Sequence, residues 1–258
     1  MQWKNLRKRV IKMNVLLYGY GLMGKKTAQA LRKEKDLTLI GIVSPVFDET
    51  PSENTYLNLG ECGEEVNAII DFSHPNNLEE ILKYAISKHC ALVLATTGYN
   101  DQQLLRIEEA SSQIPIFQSY NMSFGIQMLT KIIKLVSKEF FENGFDIVIL
   151  EKHHNKKIDA PSGTAKLLFD VINEDVDVSP VYDRSEIKQK RQKNEIGMQS
   201  IRGGTIFGEH DIMYAGNDEI VEIKHTALSK EVFVQGAIAA LKAIAKKENG
   251  LYTLKNLY

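Results

Sequence analysis

Gly19-Tyr-Gly21-Leu-Met-Gly24 stands directly between an apolar run, residues 14–18, and the start of a helical period at Met23. A strand that turns sharply into a helix through three glycines at this spacing has few folds open to it. The first glycine permits the tight turn, the second lets the backbone approach a bound pyrophosphate, and the third brings helix and strand together. The free N–H groups and positive dipole end of the helix then face the phosphates. Alone the motif is weak, because glycines also serve plain turns. Its place at the head of an alternating pattern gives it weight.

That pattern continues for about a hundred residues. Short runs rich in Val, Ile and Leu recur at 14–18, 38–43, 67–72, 92–95 and 114–118, as in strands covered on both faces. Between them 23–35, 76–87 and 101–112 repeat apolar residues three and four apart, for example Leu78, Ile81, Leu82 and Ala85. Strand and helix in alternation predict an α/β chain whose N-terminal part is a Rossmann-like, doubly wound parallel sheet. Near residue 125 the texture changes. A long amphipathic helix through Ile126 and Phe140, a strand over 145–150, a polar and loop-rich stretch to about Gly216, an alternating strand over 220–225 and a helix over 231–246 predict a second, α+β domain. The charge-rich stretch 183–195 reads as a solvated loop or helix face. The expected division is a basic tail at 1–12, a dinucleotide-binding domain at 13–124, a substrate-binding domain at 125–230 and a C-terminal helix within 231–258.

Composition narrows the partners. With 258 residues, 43% of them hydrophobic, the chain can build sizeable cores, which excludes disorder and disulfide-stapled miniproteins. The 32 basic and 33 acidic side chains nearly cancel, so no overall field draws nucleic acid or an anionic membrane, and a small molecule is the expected partner. Cys62 and Cys90 form no disulfide or zinc spacing, which suits a reducing cytoplasm. The uncharged stretch 110–130 is broken by Ser111, Ser112, Gln113, Pro115, Gln118 and Asn121, so no membrane span is expected. Residues 1–12 carry Lys4, Arg7, Lys8, Arg9 and Lys12 with neither an acid nor an apolar h-region, and read as a loose basic tail rather than a signal peptide.

The segment richest in chemistry is Glu151-Lys-His-His-Asn-Lys-Lys-Ile-Asp-Ala-Pro-Ser-Gly-Thr-Ala, which leaves the strand expected to end at Leu150 and enters a helix near Ser162. Histidine titrates near neutrality and can give a proton, and lysine is a point cation for a carboxylate. A Ser-Gly-Thr helix start holds a second carboxylate through backbone and hydroxyl donors, so the segment describes a pocket for a dianionic acid. The plain reading is packing or surface histidines and solvated lysines at Lys152, Lys156 and Lys157. Adjacent His153 and His154 do not complete a metal site, since no cysteine or helically spaced histidine stands nearby. His74, His89, His210 and His225 carry no comparable setting.

Cofactor choice is poorly encoded. Ile42-Val-Ser44-Pro offers no acid for a ribose 2'-hydroxyl, Asp48 and Glu49 come several residues late, and no arginine stands there for a 2'-phosphate. Lys25 and Lys26 are the nearest groups that would favour NADPH. Two further loops, Asp71-Phe-Ser-His-Pro and Ala95-Thr-Thr-Gly98, follow strand ends, where open parallel sheets place their ligands.

Taken together, HHNKKIDAPSGTA, GYGLMG, DFSHP, ATTG, NMSFG and IRGGTIFGEH resemble the bacterial 4-hydroxy-tetrahydrodipicolinate reductase family, enzymes of the diaminopimelate route to lysine, from Met13 to the C-terminus. The resemblance implies NAD(P)H-dependent reduction of a cyclic dicarboxylate with loss of water, in the cytoplasm, without a metal. It implies a second domain that binds substrate and forms a homotetramer, and a final helix that returns to the first domain. By matching positions it implies His153 as general acid and Lys157 as its catalytic, carboxylate-binding companion. It assigns substrate contacts to His154, Ser162, Gly163 and Thr164. Contacts with NADH or NADPH fall on Gly19, Tyr20, Gly21, Leu22, Met23, Gly24, Phe72, Ser73, Thr96, Thr97, Gly98, Asn121 and Met122. Two positions depart from the family pattern: Tyr18 stands where many members have glycine, and Lys230 where arginine is common. A different NAD(P)-dependent dehydrogenase of amino or keto acids, or a dinucleotide sensor without turnover, shares the first-domain features and stays open at this point.

Overall fold

Successive residues of a strand point to opposite faces, so a run without polar positions must be covered on both. In the computed structural model, which describes residues 12–254, 256 and 257, β1 (Met13–Tyr18) meets that condition from Val15 onward. Val15 and Leu17 enter one core, Leu16 and Tyr18 another. The division repeats along the sheet. Ile42 and Val43 of β2 (Leu37–Val43) part in the same way, and beyond β3 (Asn54–Tyr56) so do Ile70 and Ile69 of β4 (Ala68–Asp71), Val93 and Leu92 of β5 (Ala91–Leu94), and Phe117 and Ile116 of β6 (Pro115–Gln118).

These six strands and a closing strand, Gly250–Tyr252, pair in parallel throughout, in the order closing strand, β6, β5, β4, β1, β2, β3. The order reverses between β1 and β4, so the sheet is doubly wound, as the alternation predicts. On one face lie α1 (Leu22–Leu31) and the C-terminal helix, Glu231–Ile244, whose Val234, Ala237, Ile238 and Leu241 pack on the Val15 core. Small residues let that helix approach closely, and a Cβ at Gly236 would lie 1.5 Å from the Met122 carbonyl oxygen. On the other face are α2 (Leu78–Lys88), through Ile81, Leu82 and Ala85, and α3 (Asp101–Ser111), through Ile107 and Ala110. This unit takes the chain to Met122 and resumes at Phe233. The first helix stops at Leu31, short of residue 35, because the chain must turn back through two tight hydrogen bonds, Lys33 N–H to Ala30 and Glu34 N–H to Leu31, to pair Leu37 with Met13. The three-residue strands β3 and Gly250–Tyr252 lie at the sheet edges and are too short to show a period in sequence.

The second unit, Ser123–Val232, opens with α4 (Phe124–Glu142), whose N-terminus is capped by Ser123 accepting the Ile126 N–H at 3.2 Å. There follow β7 (Asp146–His153), α5 (Gly163–Asn173), β8 (Ser179–Val181), β9 (Glu195–Arg202), β10 (Gly208–Ala215) and β11 (Ile220–Ala227). They form a five-stranded sheet in the order β11, β10, β7, β9, β8. Strand β7 is central, antiparallel to β10 and parallel to β9. One face of the sheet, with Ile147, Ile149, Ile196, Met198, Ile212 and Tyr214, packs on Ile126, Leu129 and Ile133 of α4 and Leu168 and Ile172 of α5.

Two expectations are corrected here. The polar stretch to Gly216 does hold long loops, but it also holds the strands β8, β9 and β10; the polar inward residues Ser200, Arg202 and His210 break the apolar side of the two-residue period in β9 and β10. Strand β7 runs past Leu150 to His153, because the ladders to β9 and β10 continue to satisfy its backbone. Of the stretch 183–195, residues 183–194 form a non-helical loop and Glu195 opens β9; Arg184 pairs with Glu195 and Arg191 with Asp146. The tail expected over 1–12 lies, except for Lys12, outside the described residues. No described helix is long and apolar enough to cross a membrane.

Candidate active site

At the switch point of the parallel sheet, Gly19 leaves β1 with φ +96°, a conformation that favours glycine. A Cβ there would meet the Phe72 carbonyl oxygen at 2.6 Å, and one on Gly24 would meet the Gly19 carbonyl oxygen at 2.0 Å. Two glycines therefore serve the turn and the close packing of α1 on β1. Gly21 differs: nothing lies within 4 Å of a Cβ built there, and as N-cap of α1 it supplies no side-chain bond to the first turn, which holds no acid. Open space before uncapped N–H groups fits a pyrophosphate. Tyr20 is buried against Phe47, Leu22 is exposed and Met23 half-buried. Tyr18, the departure from the family pattern, turns into the opposite core, where its hydroxyl donates to Glu80 at 2.9 Å.

Asp71, at the end of β4, is fully buried and was not singled out from sequence. It accepts the Ser73 N–H at 2.9 Å and the Tyr99 hydroxyl at 3.2 Å, so one carboxyl group joins the loops that carry Phe72 and Ser73 and Thr96, Thr97 and Gly98. Burial pushes its pKa up, against hydrogen bonds that favour the ionised form. Thr96 is buried, Thr97 is exposed, and Gly98 turns at φ +86°. Met122 is buried, while Asn121 is held by Ser119, whose Oγ donates to the Asn121 carbonyl at 2.7 Å. After β2, the late acids Asp48 and Glu49 both meet Lys25, at 2.7 and 3.4 Å.

The second unit gathers its titratable groups by register. Glu151 and His153 share one face of β7 with Ile147 and Ile149; β10 sets His210 opposite Glu151, and β9 sets Arg202 opposite His153. Beyond the apolar core that face becomes a polar cluster. Glu151 is 1% exposed, and burying a carboxylate costs several kcal/mol unless it is paired. Here Arg202 donates to both oxygens, at 2.8 and 2.7 Å, the Ser162 N–H donates at 3.0 Å, and His153 Nδ1 lies 2.6 Å from Oε2. Burial opposes ionisation, but these bonds outweigh it and hold the Glu151 pKa down at about 2. Since the carboxylate only accepts, Nδ1 of His153 carries a proton. Burial, with Lys157 and Arg202 nearby, lowers the His153 pKa despite the Glu151 bond.

Ser162 caps α5 by accepting the Ala165 N–H at 3.2 Å, and its hydroxyl lies 3.1 Å from His210 Nε2. His210 is buried with its ring edge-on to His153 at 5.2 Å, and burial first, then His153, pushes its pKa down to about 3. The expectation that His210 has no comparable setting is thereby corrected, and His225 too has a polar partner, Ser123 Oγ at 3.3 Å. Gly163, exposed, opens α5 with free space around it, and the first turn holds no acid, which suits a carboxylate. Thr164 and His154 are half-buried. Lys157, with its N–H on the His154 carbonyl at 3.1 Å, pairs through Nζ with Asp159 at 2.7 Å. Lys152 lies on the other sheet face with Glu209, and Lys230 is exposed. Among the described residues no three His, Cys, Asp or Glu side chains gather as a metal site.

Comparison with known proteins gives two family matches: dihydrodipicolinate reductase, N-terminus, over residues 13–122, and dihydrodipicolinate reductase, C-terminus, over residues 125–258. The 4-hydroxy-tetrahydrodipicolinate reductase of Exiguobacterium sibiricum is 50% identical over 249 residues, covering 95% of this chain and 96% of its own. That of Clostridium novyi is 44% identical over 239 residues, covering 92% and 94%. Among solved structures, a dipicolinate-bound dihydrodipicolinate reductase from Paenisporosarcina sp. TG-14 superposes with a TM-score of 0.81 over 96% of this chain and all 100% of the other, at 20% identity, a likeness of fold.

Proposed function

The chain belongs to the dihydrodipicolinate reductase family, and from that membership we propose that it reduces 4-hydroxy-tetrahydrodipicolinate to tetrahydrodipicolinate with NADH or NADPH, releasing water. The observation that carries the reading at the level of this chain is one polar face of the second sheet. There a buried, carboxylate-bound histidine and the Ser162-capped start of α5 share Glu151. An amino- or keto-acid dehydrogenase and a dinucleotide sensor are not favoured, since relatives 44% to 50% identical along nearly the whole chain bear the reductase name.

The 19–24 turn would hold the cofactor pyrophosphate, and Phe72, Ser73, Thr96, Thr97, Gly98, Asn121 and Met122 the rest of the dinucleotide. Loss of the ring hydroxyl with a proton from the adjacent carbon releases water and leaves an unsaturated ring, to a carbon of which a bound nicotinamide would supply a hydride. Electron density then collects on the neighbouring ring atom, and a proton must reach it. His153 gives that proton from Nε2 while Glu151 retains Nδ1–H. Lys157, His154 and the Ser162, Gly163 and Thr164 helix start hold the two carboxylates, fixing the ring for transfer. His153 is neutral more readily than an ordinary histidine. The dianionic substrate restores its proton, because nearby negative charge raises a histidine pKa.

The same reading includes a homotetramer assembled through the second unit. Its support is the sheet face turned away from α4 and α5, where Val148, Leu150 and Met213 are only partly buried. A cytoplasmic setting agrees with Cys62 and Cys90, both buried and free of disulfides. The deciding experiment supplies the product of dihydrodipicolinate synthase together with NADH or NADPH and follows loss of the reduced nicotinamide absorbance. Steady consumption is the expected result; cofactor binding without turnover would reject the reductase.

A further inference from the structure

Glu151 touches neither the substrate nor the cofactor in the mechanism above and enters it only through the Nδ1 proton of His153, yet four hydrogen bonds converge on its carboxylate. Its two oxygens serve different parts. Oε2 takes the His153 Nδ1 proton at 2.6 Å, Oε1 takes the N–H of Ser162, the cap of α5, at 3.0 Å, and Arg202 clamps both. The bridge is rigid, for Glu151 and His153 sit on one strand face and are 1% and 8% exposed. We propose that Glu151 is the positioning residue of the site: it fixes the His153 tautomer and sets the spacing between the proton donor and the carboxylate-binding start of α5.

The proposal rests on the reductase reading and deepens it. A neutral histidine in water favours the proton on Nε2, but opposite a carboxylate at Nδ1 the tautomer is reversed. Nε2, without a hydrogen-bond partner among the described residues, is then the only ring nitrogen that gains and gives a proton during turnover. The other groups facing the ring do not replace Glu151. Arg202 on β9 and Lys157 in the following loop oppose a positive imidazolium, and His210 on β10 resists protonation. A glutamine at 151 could still accept the Ser162 N–H, but its amide N–H groups would face Nδ1. The imidazolium would lose its support, and the neutral ring would carry its proton on Nε2.

Two measurements on the full-length enzyme test this. Nitrogen-15 spectra of histidine-labelled enzyme, with the His153 signals identified by their loss in His153→Gln, should show neutral His153 protonated at Nδ1; protonation at Nε2 would overturn the proposal. In the second, kcat is followed against pH for the unaltered enzyme, Glu151→Gln and Glu151→Asp. An acid works only while protonated, so the rate falls as pH rises through its pKa in the complex. In Glu151→Gln that fall should move to lower pH by about one unit or more, lowering kcat near neutrality about tenfold, with NADH affinity unchanged. Glu151→Asp, which restores the charge, should recover the position of the limb. An unmoved limb with undiminished kcat in Glu151→Gln overturns the proposal. Should that variant fail to fold, the spectrum of the unaltered enzyme decides. Because the spectrum requires no turnover, an enzyme inactive in the synthase-coupled assay would reject the reductase reading separately.

Discussion

His153 Nδ1 lies 2.6 Å from Glu151 Oε2, two residues back on the same face of β7. The pair leaves only Nε2 for exchange with a ligand. Replacing His153 by Gln should leave NADH binding intact and lower kcat by about 10² to 10⁴, the usual contribution of a placed acid. Lys157 acts on the substrate charge in ground and transition states alike, so Lys157→Ala should chiefly raise KM, and any fall in kcat would report its share in orienting the ring. Steady-state kinetics, with circular dichroism as the folding control, separates the two; near-normal turnover in a folded His153→Gln enzyme removes it as the acid.

The His153 ring has little room. A Cβ at Gly208, on β10, would stand 3.1 Å from Nε2, so the ring would have to yield by a few tenths of an ångström. Gly208→Ala should therefore lower kcat several-fold while costing about 1 to 3 kcal/mol of stability, the ordinary cost of overpacking. Thermal unfolding and kcat measured on the same preparation check this. A variant with unchanged kcat would mean that His153 tolerates displacement.

How far the sequence reached is clearest at this cluster. The glycine turn and the alternating strands were legible because each signal is local: three glycines at fixed spacing, apolar runs covered on both faces. His153, Lys157 and the Ser162 start stood together in one segment for the same reason. Glu151, at the head of that segment, gained no role: His153 and Ser162 bond it locally, but the Arg202 clamp on both its oxygens comes from 51 positions away. Strand register alone brings Arg202 onto it and sets His210 opposite, and polar inward residues, Ser200, Arg202 and His210, hid the period of β9 and β10. Asp71, at the head of its loop, gained no role for a similar reason, as its Tyr99 partner lies across a helix and a strand in sequence.

Cofactor preference turns on Lys25. It is already engaged by Asp48 and Glu49, so it neither stands free for a 2'-phosphate nor leaves those acids free for a 2'-hydroxyl. The unaltered enzyme should discriminate NADH from NADPH by less than about tenfold in kcat/KM, or about 1.4 kcal/mol. Asp48→Ala loosens Lys25 and should tilt the ratio towards NADPH. A hundredfold preference in the unaltered enzyme, or no response to the substitution, would show that recognition lies elsewhere.

Acid should weaken the second unit in two overlapping windows, and the signs follow from the same cluster. His210 has its pKa lowered from 6.5 to about 3, so the unfolded chain takes up its proton first and stability is lost as pH falls through that range. Glu151 has its pKa lowered from 4.5 to about 2; its contribution is complete above the higher value and disappears as pH approaches the lower. The Glu151 shift corresponds to on the order of 3 kcal/mol, more than most single surface pairs provide. Urea unfolding at a series of pH values should show the unaltered chain losing stability from about pH 6.5 downward, with His210→Gln flattening the upper part of the curve. The advantage of the unaltered chain over Glu151→Gln should shrink between pH 4.5 and 2, once the carboxyl group is protonated in both folded and unfolded states. Parallel curves across that lower window would mean that Glu151 is not held ionised by Arg202, His153 and Ser162, and the bridge would then have to be a neutral hydrogen-bonded one.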